Sequence, residues 1–470
     1  MKLFGTGIII LCTALTWGCT VHSPQVTGDP VAMPDRFVES LDGTGLQQDF
    51  GRWWERFGDN RLNSLVDEAL KNNHDLEKAF ARLRQAEAQA GIAFSHRFPA
   101  INLQAEADRT RRPGRTNDFT ADNYAFSAAA SYEIDFWNKF KSGSEAGRLR
   151  FQAAGEDMKT LYVGLTAEIV DLYFFSVEQR AQLNLVDAII ASEIDTLERV
   201  ERRYLEGLVP AVDVYQSRQS AEQTISRRPV YEAALSRVNH AISVLLGRFP
   251  DDDITGRRAD IPEIEDKLPH CLPSELLKRR PDIQSAILRL KARDFDVAVA
   301  VADRFPSFNL AALLGRSQID SILGLTTGTF WSLLSDATMP LFDAGRRKAD
   351  IERAQALFQE DLAGYKKTVL RSVMEVEDAL SNTRNTSRRV DLLKNWVLSA
   401  SEGLRLAEAR YFWGLTDYIP VLAAQKTYLE AQSQLIAARR QEVSNFISLM
   451  RALGGDWMDE DLQIRKELGY

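Results

Sequence analysis

Two spacings of apolar residues alternate along this chain. Val163, Ala167, Val170, Phe174, Val177, Ala181, Asn184 and Ala188 follow one another by fours and threes, a repeat of about 3.5 residues that belongs to a helix in a left-handed supercoil. Ile351, Ala354, Phe358, Leu362, Tyr365, Val369, Val373, Val376 and Leu380 repeat nearer to about 3.6, one face of a helix. Proline avoids both regions: of 15 in the chain, none lies between Pro113 and Pro210 and none between Pro340 and Pro420. Helices from about Ser144 to Gly207 and from about Ala344 to Trp413 are therefore permitted, each about 100 Å long at about 1.5 Å per residue. Leu172, Tyr173 and Phe175 lie off the first stripe, so that helix needs neighbours on two sides, which predicts a curved wall of helices. Shorter helices are predicted from Leu62, where Leu65, Val66, Ala69, Leu70, Leu76, Ala79, Leu83 and Ala86 keep helical spacing across a break at Asn72-Asn73-His74, and at Arg280-Pro281-Asp282-Ile283, where proline suits a first turn.

The second spacing is two. Ile101, Leu103, Ala105 and Ala107 alternate with Asn102, Gln104, Glu106 and Asp108, and Tyr124, Phe126, Ala128, Ala130, Tyr132, Ile134 and Phe136 alternate with smaller and polar residues. Phe308, Leu310, Ala312 and Leu314, then Trp331, Leu333, Ala337, Met339 and Leu341, repeat the plan less cleanly. Strands with one apolar and one polar face, about ten residues long and aromatic near their ends, are the pattern of an outer-membrane barrel. A single such hairpin would better suit a soluble hairpin on a helical core; two of them on a chain with very long helices favour the barrel.

The chain is one unit written twice. Phe98, Pro99, Asn102 and Leu103 recur as Phe305, Pro306, Asn309 and Leu310, each 207 positions further on, and the same displacement relates Arg203-Tyr204 to Arg410-Tyr411, Gly207-Leu208 to Gly414-Leu415, and Leu246-Gly247 to Leu453-Gly454. So long a period belongs to a duplicated half-domain, not to a solenoid. The expected organisation is a signal peptide at 1–18, an extended tether at 19–52, a first repeat at 53–255, a linker at 256–279, a second repeat at 280–457 and a tail at 458–470. Within the repeats, strands are expected at about 97–110, 121–137, 304–317 and 326–343, and turns between antiparallel helices near 207–213 and 414–420.

Lys2, the apolar stretch Leu3 to Trp17, and Gly18-Cys19 read as a secretory signal, too short for a spanning helix. A small residue before a cysteine resembles the bacterial lipoprotein processing box, in which Cys19 carries the lipid; Thr16 and Trp17 depart from that box, and an ordinary signal cut near Cys19 is the alternative. Cys12 leaves with the signal and Cys271 stands alone, so no internal disulfide is expected. The formal charge of −8, with 58 basic and 66 acidic residues interspersed, offers no basic stripe to nucleic acid. After the signal no continuous apolar run is long enough to span a bilayer, so strands are the expected membrane element. Four strands cannot close a barrel, because open edges in lipid leave backbone groups unpaired, and oligomerisation follows by counting. Two chains would supply eight strands and three would supply twelve.

Trp53-Trp54, Phe57, Asp59, Leu62, Asn73 and Asp75-Leu76, the run Leu272 to Leu277 followed by Arg279 to Ile283, and Pro340-Leu341-Phe342-Asp343-Ala344-Gly345-Arg346 resemble signature blocks of the outer-membrane efflux factors, the TolC-like family, in its lipoprotein branch serving resistance-nodulation-division (RND) drug pumps. The resemblance implies a mainly α fold with membrane β-barrel strands, built on a duplicated helix-strand-strand-helix unit. It implies a homotrimer whose twelve-stranded barrel, four strands per chain, continues into a long periplasmic α-helical barrel. It further implies a passive exit duct without enzymatic activity or cofactor, partnered by a periplasmic adaptor, an inner-membrane RND-type pump and outer-membrane lipid.

By the same resemblance, Gly207, Leu208, Pro210 and Asp213, with Gly414 and Leu415, belong to a periplasmic tip that docks the adaptor, the glycines also serving as turn residues. Asp417, Tyr418 and Ile419 are candidates for narrowing that tip. The acidic rings of closed family members map to Pro420 and Ala423 and are absent, so weaker cation preference is expected. His22, His74, His96, His240 and His270 have no ligand spacing, and no nucleophile motif or phosphate loop stands out. Two other readings fit parts of the pattern: an exit duct for type I protein secretion, and a coiled-coil lipoprotein or adaptor without a pore.

Overall fold

A computed structural model of the chain describes residues 22, 26, 31–38, 51–113, 119–264, 273–321 and 324–455. The expected lipid site Cys19, the lone Cys271 and the tail at 458–470 lie outside the described residues. After a 3₁₀ turn at Trp53–Phe57 come α1 (Asn60–Asn72), α2 (His74–Ser95), β1 (Ala100–Arg112), β2 (Phe119–Glu133), α3 (Lys139–Leu205), α4 (Ala211–Ile225) and α5 (Arg228–Leu245). The second half supplies α6 (Pro273–Arg279), α7 (Pro281–Ala302), β3 (Ser307–Ser321), β4 (Gly324–Thr338), α8 (Arg346–Phe412) and α9 (Ile419–Leu453). The chain divides into two compact units, one holding 82–155 and 284–367 and the other 33–81, 156–283 and 368–470.

In the first unit the strands form one antiparallel sheet in the order β1-β2-β3-β4. The strands begin and end a few residues away from the expected bounds, for local reasons. Arg97 and Phe98 are held in the turn after α2 by bonds from their amides to Phe94 and Ser95, and Pro99 has no amide to donate, so β1 starts at Ala100 instead of 97. The amides of Arg304 and Phe305 likewise close the end of α7, and β3 starts at Ser307. At the other ends, Asp135 accepts from the amides of Phe140 (3.0 Å) and Lys141 (2.8 Å), and Asp343 from those of Gly345 (3.1 Å) and Arg347 (3.3 Å). Both residues cap the helix that follows, so β2 ends at Glu133 and β4 at Thr338, short of 137 and 343. Within the expected linker, Pro273–Arg279 is helical.

Beside the sheet, Ala146 and Leu149 of α3 pack on Ala292 of α7, and Gly147 approaches α2 so closely that a Cβ would lie 3.3 Å from Ala90 Cα. The described points of the tether nearest Cys19 are docked: His22 Nε2 lies 2.7 Å from Asp294 Oδ1, and the Val26 amide donates to the same carboxylate at 3.2 Å.

The second unit is helical. Trp54 is fully buried, Phe57 meets Phe174 edge-on at 4.6 Å, and Asp59 caps α1 through the amides of Arg61 and Leu62. Asp59 also accepts from the Tyr173 hydroxyl (2.5 Å) and Arg258 (2.9 Å). Burial pushes its pKa up, but the Tyr173, Arg258 and amide bonds together hold it below its ordinary value of 3.8. A carboxylate with a depressed folded pKa contributes stability above its unfolded pKa and loses it as pH falls through the folded one. Asp59→Asn is therefore expected to be less stable than wild type at neutral pH and to flatten the loss of stability below about pH 4, read by acid titration of detergent-solubilised protein.

Asn73 sits at the break between α1 and α2. Its Oδ1 accepts from the amides of Asp75 and Leu76, and its Nδ2 donates to the Leu245 carbonyl at 2.9 Å. The duplicate does the same job with a different side chain, Arg280 Nη1 donating to the Ala452 carbonyl at 3.0 Å. Residues 280 and 452 are the 207-position counterparts of 73 and 245, so one clamp at the end of each return helix is preserved.

In α3 the packed seam departs from the expected stripe. Up to Val177 the two agree, but Asn184 and Ala188 are exposed, and the buried series runs Gln182, Val186, Ile189, Glu193, Thr196 and Val200. The spacing by threes and fours persists while polar residues occupy the seam, joined to other helices by bonds such as Gln182 Nε2 to the Ser433 carbonyl (3.0 Å) and Ser220 to Glu193 (2.8 Å). By length and composition α3 could also span a bilayer, with a mean hydropathy of 1.3 over 18 residues, where no such run was expected. Half of that window is buried, so its apolar character serves packing. The first return helix breaks at Ser226-Arg227 ahead of Pro229, whereas α9, with Ile436 at the equivalent place, runs on for 35 residues.

Candidate duct wall and helix-turn tip

The register of the sheet sorts its side chains. Leu103, Ala128, Leu314 and Trp331 lie side by side on one face, as do Ile101, Ala130, Ala312 and Leu333. Leu103, Leu314, Trp331 and Leu333 are all exposed. The opposite face carries Gln104, Ser127, Gly315 and Phe330 in one row, with Asn309 bonded to Asp336 (3.0 Å) and Asn123 to Asp108 (2.8 Å). Leu313, Ile319 and Leu334 interrupt that second face, but an apolar band on one side and a mainly polar surface on the other is what separates lipid from water.

The helix turns are built alike. Gly207 and Gly414 have φ of 74° and 73°, and each turn closes with the same pair of bonds: Gly207 to the Tyr204 carbonyl and Leu208 to Arg203, then Gly414 to Tyr411 and Leu415 to Arg410, all at 2.9 Å. These are Schellman ends, which need the left-handed conformation glycine adopts freely. Leu208, Pro210, Leu415 and Ile419 are exposed, as is Asp417.

Two candidates are placed otherwise than expected. Asp213 is not on the exposed face: it is 5% exposed and accepts from the Tyr411 hydroxyl at 3.0 Å. Tyr418 does not point to open space: it is 1% exposed, its hydroxyl bonded to Ser217 at 3.2 Å and its ring against Tyr411 at 5.0 Å. Tyr418 belongs to a core with Val200, Val214, Tyr411 and Val421 that ties the two turns together, and Asp213 joins it through its bond from Tyr411. Burial raises the pKa of both tyrosines, and the Asp213 carboxylate raises that of Tyr411 further, so both hydroxyls stay protonated donors at neutral pH. Arg203 completes the tie, donating to the Phe412 carbonyl at 2.6 Å over the Tyr411 and Phe412 rings. The pairing escaped sequence reading because it breaks the duplication: Asp213 has Pro420 as its counterpart, so the acid is used once.

Amphipathic strands with a lipid-facing band, joined to very long helices, define a duct of the bacterial outer membrane. The chain belongs to the outer membrane efflux protein family, which matches residues 65–248 and 272–455. It is 28% identical over 452 residues to the probable outer membrane lipoprotein SilC of Salmonella typhimurium, covering 94% of this chain and 96% of that protein. To the toluene efflux pump outer membrane protein TtgI of Pseudomonas putida it is 28% identical over 409 residues, 86% of this chain and 87% of that one. Among solved structures it is similar to the outer-membrane channel OprN, with a TM-score of 0.86 and 29% identity, covering 93% of this chain and all of the other. The protein is thus the outer-membrane channel component of an efflux system in a Gram-negative bacterium.

Proposed function

We propose that three copies of this chain join their sheets into one twelve-stranded barrel. Their helices then line the periplasmic part of the duct, and the turns at 207–210 and 414–415 dock a periplasmic adaptor fed by an inner-membrane RND-type pump. The observation that carries this reading is the sheet itself. Its edge strands β1 and β4 carry Ile101, Leu103, Trp331 and Leu333 exposed beside an unpaired backbone edge, and such an edge cannot sit in lipid alone. Small molecules are the cargo, a reading supported by the likeness to a toluene efflux component. Residues 1–18 are removed as a signal, Cys19 carries the lipid, and 20–52 form the tether.

At the tip, Gly207, Leu208, Pro210, Gly414 and Leu415 form the docking surface, and Asp417 and Ile419 remain the candidates for the constriction. Asp213 and Tyr418 hold the turns from within. Leu208→Asp combined with Leu415→Asp is expected to leave a heat-modifiable oligomer on gels and yet make a complemented deletion strain retain ethidium like the deletion itself. Wild-type efflux in that double variant would end the docking assignment, and a monomeric wild type in mild detergent would end the barrel.

A further inference from the structure

Five aromatic side chains of the described strands, Tyr124, Phe126, Tyr132, Phe308 and Trp331, share the lipid-facing side, and Phe330 alone among those described lies on the polar side. Phe330 pairs directly with Gly315, and Gly315 with Ser127 on the next strand. The ring is laid down across the glycine: a Cβ at 315 would stand 2.6 Å from Phe330 Cζ, 2.7 Å from Ser127 Cβ and 2.7 Å from the Phe126 carbonyl oxygen. Ser127, across Gly315 from the ring, is 7% exposed and is the one buried residue on the described strands. A ring that covers the neighbouring strand spans about 4.8 Å of wall; standing upright, it would reach a similar distance into the channel.

Among the side chains described, the charge on this face has one sign. Glu106, Asp108, Glu133 and Asp336 lie on it, and no lysine or arginine whose side chain is described does. The partners of Asp108 and Asp336 are neutral amide and hydroxyl groups, which leave the charge in place. Carboxylates along a duct attract cations, and the face of a phenyl ring attracts them again through its quadrupole.

We propose that Phe330 is a specificity-determining residue of the duct. Its ring, flat against the wall, is a contact surface for aromatic and other planar apolar cations in transit, and Gly315 is the positioning residue that keeps the ring out of the stream. The inference rests on the reading that several copies close the sheet into a barrel, so that the polar face becomes the channel. A hydrated aliphatic cation gains only from the carboxylates. An aromatic one gains from both.

The test is single-channel recording of the full-length protein in planar bilayers, with tetraphenylphosphonium or tetraethylammonium added to each chamber in turn. Phe330→Ala is expected to shorten tetraphenylphosphonium block events about threefold to tenfold, with tetraethylammonium unaffected, and Phe330→Trp to restore them. Gly315→Ala is expected to lower open conductance, because its Cβ would displace the ring as well as press on the Phe126 carbonyl oxygen and Ser127. Unchanged tetraphenylphosphonium block in a normally conducting Phe330→Ala channel would overturn the proposal alone. A wild type that forms no conducting oligomer would overturn the barrel reading beneath it.

Discussion

Alanine at Gly247 is expected to cost about three times as much stability as alanine at Gly207, although the two glycines share a backbone conformation. Gly207 has φ of 74° and Gly247 of 70°. An L-residue held there loses about 1 kcal/mol or somewhat more, because its Cβ crowds the following carbonyl. At Gly207 that is the whole effect, since no atom lies within 4 Å of a Cβ built there. At Gly247 the same atom would stand 2.5 Å from the Asn72 carbonyl oxygen and 3.4 Å from its carbon. These are main-chain atoms that cannot rotate away, so α1 must shift from the end of α5, adding about 1–3 kcal/mol.

The second repeat offers an independent check, because Gly454 has φ of 71° and its Cβ would stand 2.7 Å from the Arg279 carbonyl oxygen. Gly247→Ala and Gly454→Ala should each lower the temperature at which the detergent-solubilised oligomer dissociates by clearly more than Gly207→Ala or Gly414→Ala. Equal shifts at all four glycines would show that conformation alone matters and that the close approach is relaxed in solution.

The contrast also marks where sequence stops being informative. Leu246-Gly247 and Leu453-Gly454 are legible as a repeat, and glycine after a helical stretch is legible as a helix end. What the glycine lies against depends on residues some 170 positions away. The strands were legible because alternation is a local signal that lipid imposes, less cleanly in the second half, and the long helices because proline is missing where it would break them. The seam of α3 leaves the apolar stripe after Val177, where Gln182 and Glu193 are buried with bonds to other helices and Thr196 with a bond inside its own, none of which the apolar spacing shows. Asp213 and Tyr418 were misjudged for the same reason. An aspartate next to a turn reads as exposed until a tyrosine from the other half of the chain donates to it. Alternation with Trp331 and Leu333 puts Phe330 on the other face of β4, but that its ring lies across Gly315 is a contact between strands that the alternation does not show.

Arg280→Ala is expected to be the most damaging single change at the duplicated clamp, by about 3–5 kcal/mol. The guanidinium, 9% exposed, donates Nε and Nη2 to the two oxygens of Asp282 at 3.0 and 2.8 Å, Nη2 also lies 2.8 Å from Glu375, and Nη1 donates to the Ala452 carbonyl at 3.0 Å. Burial draws its pKa down, but the two carboxylates outweigh that and hold it above its ordinary value, so the cation is permanent. Removing it leaves Asp282 without its counter-charge, Glu375 with only the exposed Arg371 at 3.1 Å, and a helix-terminal carbonyl without its donor, which is why truncation should cost far more than a surface ion pair.

The neutral counterpart sets the scale. Asn73→Ala strands one carbonyl and one helix start with no charge involved, and about 1–3 kcal/mol is expected. Arg280→Lys keeps the charge but cannot reproduce the two-pronged contact with Asp282, so it should fall between wild type and Arg280→Ala. If repulsion between the two acids is the larger part, Arg280→Met combined with Glu375→Gln should recover much of the loss in thermal dissociation of the oligomer. If the lost carbonyl bond is the larger part, that double variant should be no better than Arg280→Met alone, and hydrogen exchange should speed up around Ala452 in both.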